Sequence, residues 1–266
     1  MSSLNPPIEI DIDPTNPGHF FACCALLELA DRLWPGAEGW FGSGDRSFHI
    51  QSGVHALPEL LHAVSHAELT IVNADDPLSS PIRIGRPFRP LTIDWWESDR
   101  TARDFKVWAG KMESYGIARA MQHAIRDSSL HHSGILNYGA VVMNPDEAGK
   151  KREPFYFDAR RAPNSHSVDV GFSANDLGLT TLAHPAVELL CLIGLQVVRP
   201  AFTEQKRIYD YSTWPVPLAP CVLLAAATGL ADIPGANTYR FENWFRTGQK
   251  KHKAFRPATP LPSSRS

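Results

Sequence analysis

Isoleucines alternate with acids along Ile8-Glu9-Ile10-Asp11-Ile12-Asp13, the period-two pattern of a half-buried strand. Pro14 and Pro17-Gly18 end this run and turn the chain. From there to Trp34 the strongly polar residues are His19, Glu28, Asp31 and Arg32. Glu28 and Arg32 are four apart and share one narrow face. Every other face is apolar, which predicts a central helix buried between a sheet and a second layer. Pro35-Gly36 stops it. Two short strands are then expected around Gly42-Ser43-Gly44-Asp45, a hairpin composition.

Further along, Leu57, Leu60, Leu61 and Val64 predict a helix over 57–69, followed by a short strand over 69–72. Residues 75–90 carry prolines at 77, 81, 87 and 90 and are expected to be a loop, with a strand over 91–96. Phe105, Trp108, Met112, Ile117, Met121 and Ile125 predict one long helix, although Gly110 and Gly116 weaken its continuity. Strands are expected over 134–144, 154–158 and 167–172. Pro185 in a first turn and Pro200 just past the end bracket a strong helix over 185–198. A small-residue helix over 219–230 and a closing strand over 238–244 complete the pattern. Strands and helices mix without a regular βαβ rhythm. The expected fold is therefore α+β, with a mixed, largely antiparallel sheet packed by several buried helices. No composition shift cuts the chain, so 1–245 reads as one domain or two packed lobes. Residues 246–266 read as a basic, then Pro/Ser-rich, disordered tail.

Hydrophobic residues make up 43% of the chain and charged residues 20%, as in a folded globular protein. The formal net charge of -2 excludes a general polycation, so any nucleic-acid contact must come from a local patch. Cys23, Cys24, Cys191 and Cys221 form no CxxC pair. They read as buried free thiols in a reducing cytoplasm. The acidic, polar start lacks the basic and apolar regions of a secretory signal. The apolar run 186–198 contains Glu188, Gly194 and Gln196 and is too short to span a bilayer. No membrane association is expected.

Three basic stretches are candidate contact sites. Arg83, Arg86 and Arg89 sit three apart in the Pro-rich stretch and would fork onto phosphates if it is a loop; the plainer alternative is solvated surface. In the tail, Lys250, Lys251 and Lys253 lie near Arg246 and Arg256, beside Trp244 and Phe255. Cations beside rings suit single strands or a phosphate backbone; the alternative is a solubilising tail. Arg160 and Arg161 close the alternation Phe155-Tyr156-Phe157-Asp158, where a structural bridge from Arg160 to Asp158 or Asp169 competes with binding.

Catalysis finds little support. His131-His132 lies near Asp127, Ser128 and Ser129, but no spacing specifies a triad. HExxH, GxxxxGK[ST] and GxGxxG are absent. Asp75-Asp76, or Glu97 with Asp99, are acids of the kind that hold magnesium but are ordinarily solvated. His19 stands where a helix N-terminus would favour an anion, or simply ends the turn. No cofactor and no metal are called for.

The block from Asn16-Pro17-Gly18-His19-Phe20-Phe21-Ala22-Cys23-Cys24 through Glu38-Gly39-Trp40-Phe41 resembles a family of type I-U (also called I-G) CRISPR-associated proteins. Asp94-Trp95-Trp96, Lys106-Val107-Trp108-Ala109-Gly110, Asp169-Val170-Gly171-Phe172-Ser173 and the run from Pro185 to Gln196 are similar as well, so the resemblance spans about residues 5–257. The opening also looks like the start of large-subunit proteins in related systems. The resemblance implies a non-catalytic part in interference. Its partners would be effector subunits, guide RNA or target DNA, and the helicase-nuclease. Two alternatives stand beside it. One is a metal-independent RNA-processing nuclease with His131 or His132 as general base. The other is a protein-binding scaffold that docks partners through exposed Trp95 and Trp96.

Overall fold

The computed structural model describes residues 7–53, 55–78, 80–97, 102–109, 112–161, 182–246 and 252–262. The alternating isoleucines form β1 (Ile8–Asp11), with Ile8 and Ile10 inward. Asn16 then starts α1 (Pro17–Leu33) by accepting the Gly18 amide at 3.0 Å, which satisfies a donor the first turn leaves open. The hairpin follows as β2 (Glu38–Phe41) and β3 (Ser47–Gln51), and β3 lies between β1 and β2 in an antiparallel sheet. Its turn holds Asp45 at φ 54. Asp45 Oδ2 collects the Thr213 hydroxyl at 2.8 Å, the Asn237 amide at 2.9 Å and the Tyr239 hydroxyl at 2.8 Å, and these bonds hold the left-handed backbone in place.

After α2 (Leu57–His66), a second antiparallel sheet has the order β4 (Leu69–Ile71), β5 (Ile82–Ile84), β6 (Leu91–Ile93). β5 corrects the expected loop over 75–90: Ile82-Arg83-Ile84 is too short to show a period and is flanked by prolines. The long helix over 105–125 is also corrected. The chain forms α3 (Ala102–Phe105) and α4 (Ser114–Ala124) and leaves the helix between them. There the Val107 carbonyl accepts the Lys253 amide at 2.9 Å, a partner from the far end of the chain.

The strands expected over 134–144 and 154–158 do not form either. Residues 133–137 make a tight 3-10 turn, and only single bridges join Ala140 to Ala183 and Met143 to Lys151. In 154–158, Tyr156 adopts φ 79, and the neighbouring amides bond a side chain instead of a strand. The strand expected over 167–172 lies outside the described residues.

The last part comprises α5 (Pro185–Val197), β7 (Ala201–Phe202), β8 (Ile208–Ser212), α6 (Leu223–Ala227), β9 (Thr238–Phe245), β10 (Lys253–Phe255) and β11 (Thr259–Pro260). They build an antiparallel sheet ordered β10-β9-β8-β7, with β11 also on β9. The tail expectation is thereby corrected for 252–262. Two strands there extend the sheet, and Phe255 is fully buried.

α1 and α5 cross at the centre. Gly194 lies so close that a Cβ on it would collide with the Phe21 carbonyl. Phe20 stacks on Tyr211 at 4.4 Å, and Phe21 reaches Phe241 at 6.4 Å and Phe255 at 6.3 Å, so the helix pair seats on the five-stranded sheet. Each such buried ring removes apolar area from water and stabilises by roughly 1.5–3 kcal/mol. Trp95 and Trp96 join this core at 1% and 3% exposure, which corrects their expected role as exposed docking rings. Cys23, Cys24 and Cys191 are buried as expected, whereas Cys221 is exposed. No helix among the described residues is long and apolar enough to cross a membrane.

Candidate nucleic-acid interface

The three basic stretches fall in three different places. Arg83 stands outward on the middle strand of the β4-β5-β6 sheet, opposite Thr70 and Thr92. Arg86 is exposed in the following turn. Arg89 is tied back to α1: its Nη2 donates to the Asp31 carboxylate at 3.0 Å and the Asp31 carbonyl at 3.1 Å. The three arginines therefore do not act as one fork, because a strand, a turn and an ion pair each fix one of them.

Arg160 and Arg161 belong to a buried polar hub between α1 and α5. Arg160 donates to Asp158 from Nε at 2.9 Å, to Asn137 from Nη1 at 3.0 Å and to the Leu136 carbonyl from Nη2 at 2.8 Å, and Nη2 lies 3.2 Å from His19 Nε2. Arg161 is 3% exposed, donates to the Leu182 carbonyl at 2.5 Å and lies over the Tyr156 ring at 4.5 Å. Both guanidinium groups are engaged within the fold; for the buried Arg161 this corrects its assignment as a contact residue, while the Arg160 side chain stays 34% exposed. Asp158 Oδ1 also accepts the Asn16 amide at 3.2 Å. Burial alone would push the Asp158 carboxyl up, but the bonded Arg160 guanidinium outweighs it and holds it below its ordinary value. Burial pulls His19 down to about 4; the neutral ring accepts the Asp13 amide on Nδ1 at 3.0 Å. His19 thus braces the turn before α1.

The tail residues divide. Lys250 and Lys251 lie outside the described residues. Phe255 sits in the core 5.0 Å from Phe241 and 5.3 Å from Phe157, so it cannot stack on a base. Trp244 and Lys253 do come together with cations, at the β9–β10 edge of the sheet. On the outer face Arg256 lies over Trp244 at 4.2 Å and pairs with Glu242 at 3.1 Å. On the other face Arg207 lies over Phe245 at 4.9 Å, and Lys253 Nζ is 6.0 Å from the same ring. Lys253 Nζ donates to the Asp104 carbonyl at 2.6 Å, and Lys106 lies over Trp108 at 5.0 Å. Burial pulls the Lys253 ammonium down to about 8; Arg207, Lys206 and Lys106 add like-charge repulsion, and Asp104 opposes them. Arg246 covers Tyr156 at 3.4 Å nearby.

Sequence reasoning left Lys106, Lys206 and Arg207 out of this set. One signal was present: Ile208-Tyr209-Asp210-Tyr211 alternates like a strand, which would have placed Lys206 and Arg207 at its entry. Lys106 carried no such signal, because only the pairing of Lys253 with Val107 brings it here.

The histidines of the nuclease alternative both take part in local hydrogen bonds. His131 is 6% exposed with Nε2 3.0 Å from the Ile125 carbonyl, and His132 Nδ1 accepts the Gly134 amide at 3.2 Å. Among the described residues, no group of three or more His, Cys, Asp or Glu side chains could hold a metal ion. A cavity of about 750 Å³ opens away from the basic edge, beside α6, lined by Ser212, Gly229, Asp232, Asn237 and Thr238. No family model, no curated protein and no solved structure matches the chain.

Proposed function

We propose that this chain is a non-catalytic component of a type I-U/I-G CRISPR interference system that contacts guide RNA, target DNA or neighbouring effector subunits. The opening block and its companions supply the family resemblance. The observation that carries the nucleic-acid part is the β9–β10 edge, where Arg207, Lys253 and Arg256 lie against half-buried rings in a chain of net charge -2. A basic edge on a near-neutral protein concentrates the field at one place. In RNA-guided complexes base pairing reads sequence while the protein supplies backbone contacts and shape, a role that needs cations and rings and no catalytic constellation. The cytoplasm is the compartment this role requires, and the helicase-nuclease remains a candidate partner.

Co-expression with the effector subunits and a guide RNA, followed by a pull-down on this chain, tests the proposal. The expected result is recovery of the subunits with the guide. Recovery of neither would overturn it.

A further inference from the structure

Arg207 occupies an unusual position. It is a non-glycine residue at φ 65, a left-handed conformation that costs an L-residue roughly 1–2 kcal/mol. Its carbonyl accepts the Asn243 amide at 2.9 Å, which fixes that backbone against β9. The turn before it is held by Thr203, whose hydroxyl donates to the Ile208 carbonyl at 2.9 Å. The strained backbone sends the guanidinium over Phe245, where its Nε is buried without a hydrogen-bond partner. Lys253 faces the same ring and is anchored by the Asp104 carbonyl. Lys106 and Lys206 stand close enough to bear on Lys253, and Asp104 acts on it with the opposite sign. Like charges gathered this way repel one another, and an anion relieves that repulsion. Backbone strain of this kind collects at ligand sites.

We propose that Arg207 and Lys253, flanked by Lys106 and Lys206, grip a phosphodiester group of a single-stranded nucleic acid. This deepens the functional reading above and rests on it. The rings favour a single strand. Phe245 lies against both Arg207 and Lys253 on their own face, and cations interleaved with aromatic side chains are how unpaired strands are held. Burial first, and the neighbouring cations after it, depress Lys253 to about 8. A bound phosphate would restore its proton affinity.

The test uses the full chain, with labelled oligouridylate and oligodeoxythymidylate of about 20 nucleotides and a duplex of equal length, titrated over a range of KCl. The wild type is expected to bind the single strands more tightly than the duplex; the ratio of the two single strands identifies RNA or DNA as the source. K253Q and R207G should each flatten the log–log salt slope by about 0.7, one phosphate contact on a single strand, while R119Q, on α4 and paired with Asp146, leaves it unchanged. R207G also relieves the left-handed strain, so it should melt no lower than the wild type. A merely structural Arg207 would instead lower the melting temperature and leave the slope alone. Unchanged slopes in K253Q and R207G overturn this inference and leave the broader reading standing. Tighter binding of the duplex overturns the single-strand assignment. Failure of the wild type to bind any probe overturns the inference whatever the pull-down returns. The broader reading falls only if the pull-down also returns neither subunits nor guide.

Discussion

The Glu188 carboxylate on α5 accepts the Tyr156 amide at 2.8 Å. The same oxygen takes the Phe157 amide at 3.1 Å, and the other takes the Asp158 amide at 3.2 Å. Three consecutive backbone donors thus converge on one fully buried acid. These bonds explain why 154–158 is not a strand: its amides go to a side chain, and Tyr156 turns left-handed to aim them. Beside it, Asn16 at the start of α1 accepts the Ala159 amide at 3.1 Å. The segment therefore pins the two central helices together.

This arrangement gives opposed pH slopes. Burial raises Glu188 from 4.5 to about 7. In that window the folded state holds more protons than the unfolded one, so stability falls as pH rises. Burial lowers His19 from 6.5 to about 4. There the folded state holds fewer protons, and stability rises with pH. His184, also lowered by burial, adds to the His19 slope. E188Q should therefore gain stability as pH rises from about 4 to 6.5, and H19Q should lose it from about 4.5 to 7, each by on the order of 1 kcal/mol per pH unit. The wild type should lie between them. Urea unfolding of the three proteins at several pH values checks this, and three parallel curves would refute it.

Gly194 permits the closest approach of α1 and α5. A methyl group there would meet the Phe21 backbone carbonyl, which cannot swing aside as a side chain can. G194A is expected to lose about 3 kcal/mol or more, at the upper end of overpacking effects. If thermal unfolding shows a loss below about 1 kcal/mol, the helix contact is looser than described.

Residues 252–262 stabilise the fold. Phe255 is fully buried among Phe21, Phe157 and Phe241, so F255A should cost about 3–5 kcal/mol. A chain ending at Arg246 loses β10, β11 and this ring, and should be recovered largely insoluble. A soluble truncation that melts like the full chain would contradict the packing.

Asp45 is the acceptor for Thr213, Asn237 and Tyr239. D45A removes the acceptor that Asn237 and Tyr239 share and leaves Thr213 only its longer bond to the Asn237 carbonyl at 3.3 Å, and should cost about 3 kcal/mol. D45N tolerates the left-handed turn and keeps one acceptor oxygen, so it should lose about half as much. Equal losses in denaturant melts would place the effect in the backbone and not in the hydrogen bonds.

The β9–β10 edge was only half legible in the chain. Trp244 and Lys253 stood out because a ring and a cation lie close together in an acid-free stretch. Arg207 and Lys106 did not, since their neighbours in sequence are not their neighbours in space. Arg89, Arg160 and Phe255 drew attention by residue type, yet an ion pair, a buried carboxylate and the core claim them. Residue type in sequence does not reveal which partner holds a side chain.

The sequence by itself determined α1, α5, the opening hairpin and the α+β class. Continuous apolar faces, period-two alternation and Pro/Gly stops act over a few residues and need no distant partner. Only the tertiary structure decided that 106–109 leaves the helix, that 154–158 feeds its amides to Glu188, and that 252–262 joins the sheet. Each of these depends on hydrogen bonds or burial between segments far apart along the chain. At such positions the energy of the long-range partner exceeds the local preference.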